Sequence, residues 1–274
     1  MHLRPIAYAR NGHTDKFGIP RQSREESPIL TRIVFEPEFS VPEALRGIEG
    51  FSHLWILWGF EQSQITNHQS QIIKWSPTVR PPRLGGNKRM GVFATRSPFR
   101  PNPIGLSSVK LIKVESVKCK ENSVKCKENS EKSKENSGER WELLVSGADL
   151  LDGTPIYDIK PYLSFSDSHP EARNGFAEET KDYQLEVQCT KEALSAEWGV
   201  PPQIAEDLLY ILSQDPRPAY QNDPAREYKM DYAGWRVTFS VKCKENSEKC
   251  KENSEKCKEN SDAGVAEVKR VEKI

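Results

Sequence analysis

Two blocks of a tandem heptapeptide interrupt this 274-residue chain and decide which of its residues can form a core. The blocks cover residues 117–137 and 241–261, and each consists of three variants of VKCKENS. Only Cys and an occasional Val are apolar in each unit, whereas a coiled coil needs two apolar positions in every heptad. We therefore interpret both blocks as solvated, disordered, lysine-rich insertions. Metal binding by their cysteines and RNA attraction by their lysines are the alternatives.

The segments that flank each block have the alternating polar and apolar residues of half-buried β-strands. Leu106–Val114 and Trp141–Val145 flank the first block, and Gly234–Val241 and Val265–Val271 flank the second. Extra residues at a hairpin tip add little closure entropy. We therefore predict that each block joins two antiparallel strands at the tip of a hairpin.

Composition and charge exclude several classes of protein. Basic and acidic residues number 40 each, so the formal net charge is zero. No apolar run approaches the roughly 20 residues of a membrane-spanning helix, and MHLRPIAYAR lacks the apolar core of a signal peptide. Five of the six cysteines lie in the blocks, which leaves only Cys189 outside them and excludes a disulfide framework. We expect a reducing, cytoplasmic location.

The strand pattern predicts a mainly β fold with two domains. Many short strands with Gly and Pro turns favour an antiparallel barrel or sandwich in residues 1–178, whereas residues 179–274 read as a smaller α+β domain. The first domain has a predicted short helix near Pro42–Arg46 and predicted strands at Leu3–Ala9, Ile29–Phe35, Leu54–Phe60, Met90–Thr95, Leu106–Val114, Trp141–Ala148 and Ile156–Ile159. The second has predicted strands at Tyr183–Cys189, Arg226–Tyr232 and Gly234–Val241, and predicted helices at Thr190–Trp198 and Ile204–Ser213.

One stretch of the chain carries basic residues without acidic ones. Between Gln62 and Val114 there are nine basic residues and no Asp or Glu. Pro and Gly are frequent in its SPTVRPPRLGGNKRMGVFATRSPFRPNPIGLS segment and predict a shaped loop. Arginines held in such a loop, here Arg96 and Arg100, are preorganised to bind phosphate or carboxylate. The alternatives are a solvated strand face and a structural turn.

A second polar constellation follows, in SGADLLDGTPIYDIKPYLSFSDSHP. Asp152–Gly153 is a strong turn signal. Asp158 and Lys160 are two residues apart, which places them on one face of a strand. They form either a structural salt bridge or a functional site in which each residue shifts the pKa of the other. The chain contains no GxGxxG, P-loop, HExxH or GxSxG motif, so we expect neither a metal nor a cysteine nucleophile.

Five segments resemble the TrmO (TsaA-like) family of tRNA methyltransferases: PRQS, EGFSHLWIL, the run Ser76–Ser107, DLLDGTPIYDIKPYLSFSDS and DPRPAY. The resemblance implies a small antiparallel β-barrel that uses S-adenosylmethionine and methylates N6 of threonylcarbamoyladenosine, next to the anticodon of threonine tRNA. It also implies a homodimer with the cofactor near the subunit interface. The alternative is a non-catalytic barrel that binds RNA or S-adenosylmethionine.

The same resemblance implies roles for individual residues. The cofactor-binding residues are Gln22, Ser23, Arg24, Glu61, Gln62, Arg96, Leu106, Asp149, Asp152, Gly153 and Thr154. The tRNA-binding residues are Arg83, Lys88, Arg89, Asp215, Arg217 and Tyr220, although the C-terminal set also fits a packing module.

The chemistry of the substrate suggests the catalytic residues. N6 of a urea-like group is a poor nucleophile until it loses its proton, which calls for a positioned base. Asp158 is the candidate base, Lys160 would orient it or stabilise the developing anion, and Arg100 would anchor the substrate. Unpaired anticodon-loop bases suit recognition by stacking, for which the candidates are Trp75, Phe93 and Phe99, with core packing as the alternative reading.

Overall fold

The computed structural model describes residues 3–20, 22–24, 26–60, 75–81, 88–118, 139–217, 223, 225–242 and 264–274. Most of both heptapeptide blocks therefore lies outside the described residues, and so do Glu61, Gln62, Arg83 and Tyr220. No helix among the described residues is long and apolar enough to cross a membrane.

Six strands close into an antiparallel barrel in the order β1-β2-β7-β6-β3-β8. Their bounds are Ala7–Arg10 (β1), Leu30–Phe35 (β2), His53–Gly59 (β3), Ile104–Lys118 (β6), Glu139–Ser146 (β7) and Pro155–Pro161 (β8). A short helix, Pro42–Leu45 (α1), follows β2, and Thr78–Val79 (β4) pairs with Met90–Gly91 (β5) outside the barrel. The mainly β class and the barrel predicted from the sequence are confirmed.

Alternation along the strands fills the barrel. Leu54, Ile56 and Trp58 of β3 point into the core, whereas Trp55 and Leu57 are half-buried on the outer face. A continuous apolar run such as LWILWGF in β3 is typical of a strand covered on both faces. A closed barrel always has an outer wall, so even a continuous apolar strand leaves alternate residues partly open there.

The strand ends Arg10, Leu30, Gly59, Ile104, Ser146 and Pro155 all lie at one end of the barrel, which we call the mouth. This follows from the antiparallel order, because β1, β3 and β7 end where β2, β6 and β8 begin. Three loops lie at the mouth. Their described residues are 11–20, 22–24 and 26–29 of the loop 11–29, then 60, 75–81 and 88–103 between β3 and β6, and 147–154. Lys118, the second residue of the first heptapeptide block, lies at the opposite end.

The C-terminal part has its own sheet and core. Its strands are Glu186–Gln188 (β9), Tyr228–Tyr232 (β10), Trp235–Lys242 (β11) and Val265–Lys273 (β12), in the order β10-β11-β12-β9. Helices Lys191–Trp198 (α3) and Pro202–Ser213 (α4) pack against it, and a four-residue helix, Ser164–Asp167 (α2), precedes them. Ile29, from the mouth loop 11–29, is also buried in this second core. The boundary between residues 178 and 179 stays a prediction.

Both predicted hairpins are confirmed, since β6 pairs antiparallel with β7 and β11 with β12. The first two residues of each block continue the preceding strand, to Lys118 and to Lys242. Other bounds were wrong. The predicted strand Met90–Thr95 ends at Gly91, because a 3-10 turn at Val92–Ala94 follows, in which Thr95 Oγ1 donates to the Val92 carbonyl.

Candidate active site at the barrel mouth

A chain of hydrogen bonds links the barrel wall to the mouth loop 147–154. The indole Nε1 of Trp58 donates to Ser107 Oγ over 2.9 Å, and Ser107 Oγ donates to Asp149 Oδ1 over 2.5 Å. Trp58 and Ser107 are buried, whereas Asp149 is half-buried. Gly105 makes this arrangement possible, because any Cβ there would collide with the Trp58 ring. The carboxyl of Asp149 is therefore fixed from inside the barrel.

The surroundings of Asp149 shift its acidity in opposing directions. Burial raises the pKa of Asp149, while the hydrogen bond from Ser107 and the positive charge of Arg96 lower it. The backbone of Ser23 also hydrogen bonds to this carboxyl. Burial is the largest influence, so the pKa remains above its usual range. A carboxyl with a raised pKa accepts a proton more readily than an ordinary carboxyl, as a general base must.

Gly147 allows the mouth loop 11–29 to pack against the loop 147–154, which carries Asp149. Its φ is +80°, and a Cβ at this position would lie 2.6 Å from the carbonyl oxygen of Arg24. Both facts require glycine. Arg24 Nη2 donates to the Lys181 carbonyl over 2.8 Å, which ties the mouth to the start of the C-terminal part. Of the residues predicted from the sequence, Ser23 therefore lies beside Asp149, and Arg24 lies against Gly147 in the same loop.

The turn Asp152–Thr154 is pinned to the end of β1. Asp152 Oδ1 accepts from the Asn11 backbone N–H over 3.1 Å, and its Oδ2 lies 3.5 Å from Arg10 Nη1. The Gly153 N–H donates to the Ala9 carbonyl over 2.9 Å, with Gly153 at φ +82°. The predicted turn is confirmed. It lies at the mouth, but the Asp152 carboxylate binds residues 10 and 11 rather than the cluster around Asp149.

Leu106 and Asp158 share the outer wall of the barrel. Both pair in register with Leu57, Leu106 from β6 and Asp158 from β8. Leu106 is 52% exposed on this wall. Asp158 Oδ2 lies 2.8 Å from Lys160 Nζ, and both side chains are more than a third exposed. An exposed ion pair of this kind contributes little to stability.

The two basic side chains of the predicted RNA-binding loop that are described are exposed. Lys88 and Arg89 are both open to solvent, and Arg89 Nη1 donates to Thr78 Oγ1 over 3.1 Å. Arg100 is half-buried, and its Nη1 donates to the carbonyls of Val92 (3.1 Å) and Thr95 (2.6 Å). Arg100 thus holds the shape of the loop that was predicted to present it to the substrate.

In the C-terminal part, Asp215 and Arg217 bind each other. Arg217 Nε and Nη2 donate to the two carboxylate oxygens of Asp215 over 2.7 and 2.8 Å, and Tyr183 Oη donates to Asp215 over 2.9 Å. Both charged side chains are mostly buried. This geometry is that of a structural pair, and an RNA contact by these residues stays a prediction.

Of the other predicted site residues, Gln22 is exposed, and Glu61, Gln62, Arg83 and Tyr220 lie outside the described residues. Sequence reasoning missed Ser107 and Trp58. The signal was available for Ser107: in LSSVKLIKV it falls on the same strand face as the buried Val109, where a polar side chain needs a partner.

Comparisons with known proteins agree with this architecture. Residues 8–168 match the family model of the tRNA-methyltransferase O N-terminal domain, and residues 182–250 match that of the TrmO C-terminal domain. A tRNA (adenine(37)-N6)-methyltransferase of Escherichia coli is 39% identical over 241 residues, which cover 86% of this chain and 90% of the relative. One of Eikenella corrodens is 44% identical over 192 residues, covering 70% and 92%.

Solved structures give the same result. The crystal structure of TrmO from Pseudomonas aeruginosa superposes with a TM-score of 0.61 at 27% identity, covering 99% of this chain and 98% of that one. A further crystal structure of TrmO gives a TM-score of 0.62 at 28% identity, with 99% of each chain covered. Since the N-terminal family model spans more than half of the sequence and both relatives are more than 30% identical over at least 70% of this chain, this chain belongs to the tRNA-methyltransferase O family.

Proposed function

We propose that this protein uses S-adenosylmethionine to methylate N6 of threonylcarbamoyladenosine, next to the anticodon of threonine tRNA. The observation that carries the proposal is the cluster of Ser23, Arg96 and Asp149, which three separate mouth loops bring together. Relatives named tRNA (adenine(37)-N6)-methyltransferase support the reaction class. Relatives named as S-adenosylmethionine-dependent or S-adenosyl-L-methionine-binding support the cofactor.

The chemistry of the mouth fits this cofactor. S-adenosylmethionine supplies an electrophilic methyl group on a sulfonium, and it carries a carboxylate, an ammonium and an apolar stem. Arg96 is an exposed cation for the carboxylate, and Leu106 offers exposed apolar surface on the adjoining outer wall. The chain of hydrogen bonds from Trp58 through Ser107 keeps Asp149 in place. Because these groups are already in position, less conformational entropy is lost when the cofactor binds.

The proton of N6 needs an acceptor, and the geometry favours Asp149 over Asp158. Asp149 is half-buried with a raised pKa, and Ser107 fixes its orientation. Taking the N6 proton would convert it to the neutral acid, the form that burial favours. When bound, S-adenosylmethionine would supply the methyl group to N6, and the Asp149 carboxyl would hold the proton until it is released to water.

Asp158 remains the second candidate for the acceptor. It lies two strands from Leu106 on the outer wall, and its Oδ2 lies 2.8 Å from Lys160 Nζ. Its exposure makes it the weaker candidate for the general base, because solvent screens the electrostatic interactions by which a protein prepares such a base. Lys160 could still stabilise negative charge on the carbonyl oxygen of the substrate.

We also propose a cytoplasmic homodimer. The relevant features are the exposed apolar side chains of the mouth and outer wall, among them Leu106 and Ile104. Contiguous exposed apolar surface commonly marks an interface. Sedimentation analysis of the purified protein would measure its oligomeric state, and a monomer at all accessible concentrations would contradict the homodimer.

Methyl transfer is tested with purified protein, labelled S-adenosylmethionine and threonine tRNA that carries the threonylcarbamoyl group but no N6 methyl. Mass spectrometry of the digested nucleosides should find one added methyl on threonylcarbamoyladenosine. Matched controls are the same tRNA without the threonylcarbamoyl group and the Asp149→Asn protein. Binding of cofactor and tRNA without any methyl transfer would favour the non-catalytic alternative instead.

A further inference from the structure

Three aromatic side chains of the basic segment are exposed rather than packed in a core. Phe93 is 73% exposed, Trp75 54% and Phe99 41%. Large exposed apolar side chains close together on one surface commonly mark a binding site. Core packing was the competing explanation for these rings, and their exposure removes it.

Backbone pairing brings the three rings onto one small substructure. Thr78 pairs with Gly91 in the β4–β5 ladder, and the Val92 N–H donates to the Pro77 carbonyl over 2.9 Å. The Ser76 N–H donates to the Phe99 carbonyl over 3.1 Å. The residues next to Trp75, Phe93 and Phe99 are therefore bonded to one another, so the rings belong to a single unit.

Phe93 has the most defined support of the three. It lies in the 3-10 turn Val92–Ala94, whose Val92 side chain is buried. Arg100 bonds to the carbonyls before and after the ring, and its guanidinium carbon lies 5.7 Å from the ring centroid. The ring is thus held in position on a stiff turn with a cation beside it, while most of its surface faces solvent. Arg100 is a positioning residue for Phe93.

Charge identifies the kind of partner. The described residues 75–81 and 88–114 contain Arg80, Lys88, Arg89, Arg96 and Arg100 around these rings and no acidic residue. A two-fold contact between copies of this chain through the same surface would place like charges against each other, which costs free energy. Aromatic rings among cations are the arrangement with which proteins bind single-stranded nucleic acid.

We propose that Phe93, supported by Arg100, is a stacking platform for an unpaired base of the RNA substrate. The inference rests on the proposed function in one respect, that the substrate is an RNA with unpaired bases. Loop bases offer two π faces and can be splayed out to stack on a side chain. The adenine of the cofactor has the same chemistry, so the experiment must separate the two sources of the base.

The test compares Phe93→Ala, Phe93→Leu and Phe93→Trp in the full chain. Affinity for threonine tRNA is measured without cofactor, so the result does not depend on methyl transfer, and wild-type methylation is assayed separately. We expect Phe93→Ala and Phe93→Leu to weaken tRNA binding about tenfold, the scale of one stacked base, and Phe93→Trp to retain it. Because Leu is apolar but cannot stack, this comparison separates stacking from general apolar contact.

Two further measurements define the controls. Phe165→Ala removes an 86% exposed ring of helix α2, outside the basic segment, and should leave tRNA affinity unchanged. Arg89→Ala should reduce the salt dependence of tRNA binding, whereas Phe93→Ala should not, because Phe93 neutralises no phosphate.

Three results would overturn the inference. The first is unchanged tRNA affinity in Phe93→Ala. The second is a loss of S-adenosylmethionine affinity by calorimetry, which would assign the ring to the adenine of the cofactor. The third is a change in oligomeric state by sedimentation, which would assign it to a subunit interface.

Discussion

Ser107 Oγ lies 2.5 Å from Asp149 Oδ1, so a residue of the barrel wall holds the carboxyl of a mouth loop. Ser107 is itself held by the indole of Trp58, from the neighbouring strand. The orientation of the carboxyl is therefore set by the register of two β-strands rather than by the loop alone. Sites supported by regular elements keep their geometry more precisely than sites supported by loops.

Replacing Ser107 with Ala should move the acid limb of the pH–rate profile to higher pH. The hydrogen bond from Ser107 lowers the pKa of Asp149 against the raising effect of burial, so its loss raises that pKa further. A base is active only when ionised, so the variant needs a higher pH for the same rate. The control is Ser108→Ala, the neighbouring residue on the outer face. Identical acid limbs in the variant and the wild type would refute the role of Asp149.

Asp149→Asn and Asp158→Asn should differ in their effects on catalysis. If Asp149 accepts the proton, its variant loses single-turnover methyl transfer by about 100-fold or more, the usual scale for removing a general base. Asp158→Asn breaks an exposed ion pair that is worth at most about 1 kcal/mol of stability and removes no proton acceptor from this mechanism, so it should reduce the rate less than about tenfold. Rapid-quench measurements on preformed complexes separate this chemistry from binding. The reverse order would return the role to Asp158.

Gly147→Ala should impair both stability and cofactor binding. Alanine would have to adopt a φ of +80°, and its Cβ would lie only 2.6 Å from the Arg24 carbonyl oxygen, which would have to move. We therefore expect the unfolding free energy to fall by more than about 1 kcal/mol. The displaced segment includes Ser23, so the affinity for S-adenosylmethionine should fall as well. The control is Gly175→Ala, which also has positive φ but nothing within 4 Å of its Cβ. Calorimetry at a temperature where both variants are folded measures the binding effect.

The sequence predicted the secondary-structure elements better than it predicted the hydrogen-bond partners of individual side chains. The hairpins flanking the two blocks, the Asp152–Gly153 turn and the proximity of Asp158 to Lys160 all follow from local patterns. Arg100 shows the limit. Its neighbourhood in sequence contains no acid, which suggested a free guanidinium, but its partners are the carbonyls of Val92 and Thr95. Backbone carbonyls occur in every sequence, so only the folded turn reveals which of them accept the hydrogen bonds.

The strand predicted at Met90–Thr95 failed for a related reason. Val92 and Phe93 have high β propensity, yet β propensity mainly reflects packing against neighbouring strands. Among the described residues, the β4–β5 ladder ends at Gly91. The Val92 N–H still donates to the Pro77 carbonyl, but hydrogen bonds to the Val92 carbonyl from Thr95 and Arg100 then close a turn instead of continuing the strand.

Arg217→Ala should destabilise the C-terminal part by about 3 kcal/mol or more, because it leaves the carboxylate of Asp215 buried without its bidentate partner. Urea unfolding measures this. Tyr183→Phe is the milder variant, since it removes one hydrogen bond and leaves the ion pair intact. If these residues bound RNA directly, Arg217→Ala would weaken tRNA binding even where it is fully folded. A purely structural pair predicts normal affinity there.

His13 should make the folded protein less stable in acid. Its ring is fully buried, 5.1 Å from the Tyr232 ring of the C-terminal sheet, and neither ring nitrogen has a hydrogen-bond partner among the described residues. Burial lowers the pKa of His13 from 6.5 to about 4, so the unfolded chain takes up this proton more readily than the folded one. Its contribution to stability is therefore complete above pH 6.5 and is lost as the pH falls towards 4.

The full effect of that shift is about 3 kcal/mol, at 1.36 kcal/mol for each pKa unit. His13→Leu should remove this part of the pH dependence, so its unfolding free energy should fall less than that of the wild type between neutral and acidic pH. The matched control is His169→Leu, which changes an exposed histidine and should keep the wild-type slope. Urea titrations across this range measure both slopes. Parallel curves for His13→Leu and the wild type would mean that the ring is protonated in the folded protein, and so is not held neutral between the barrel and the C-terminal sheet.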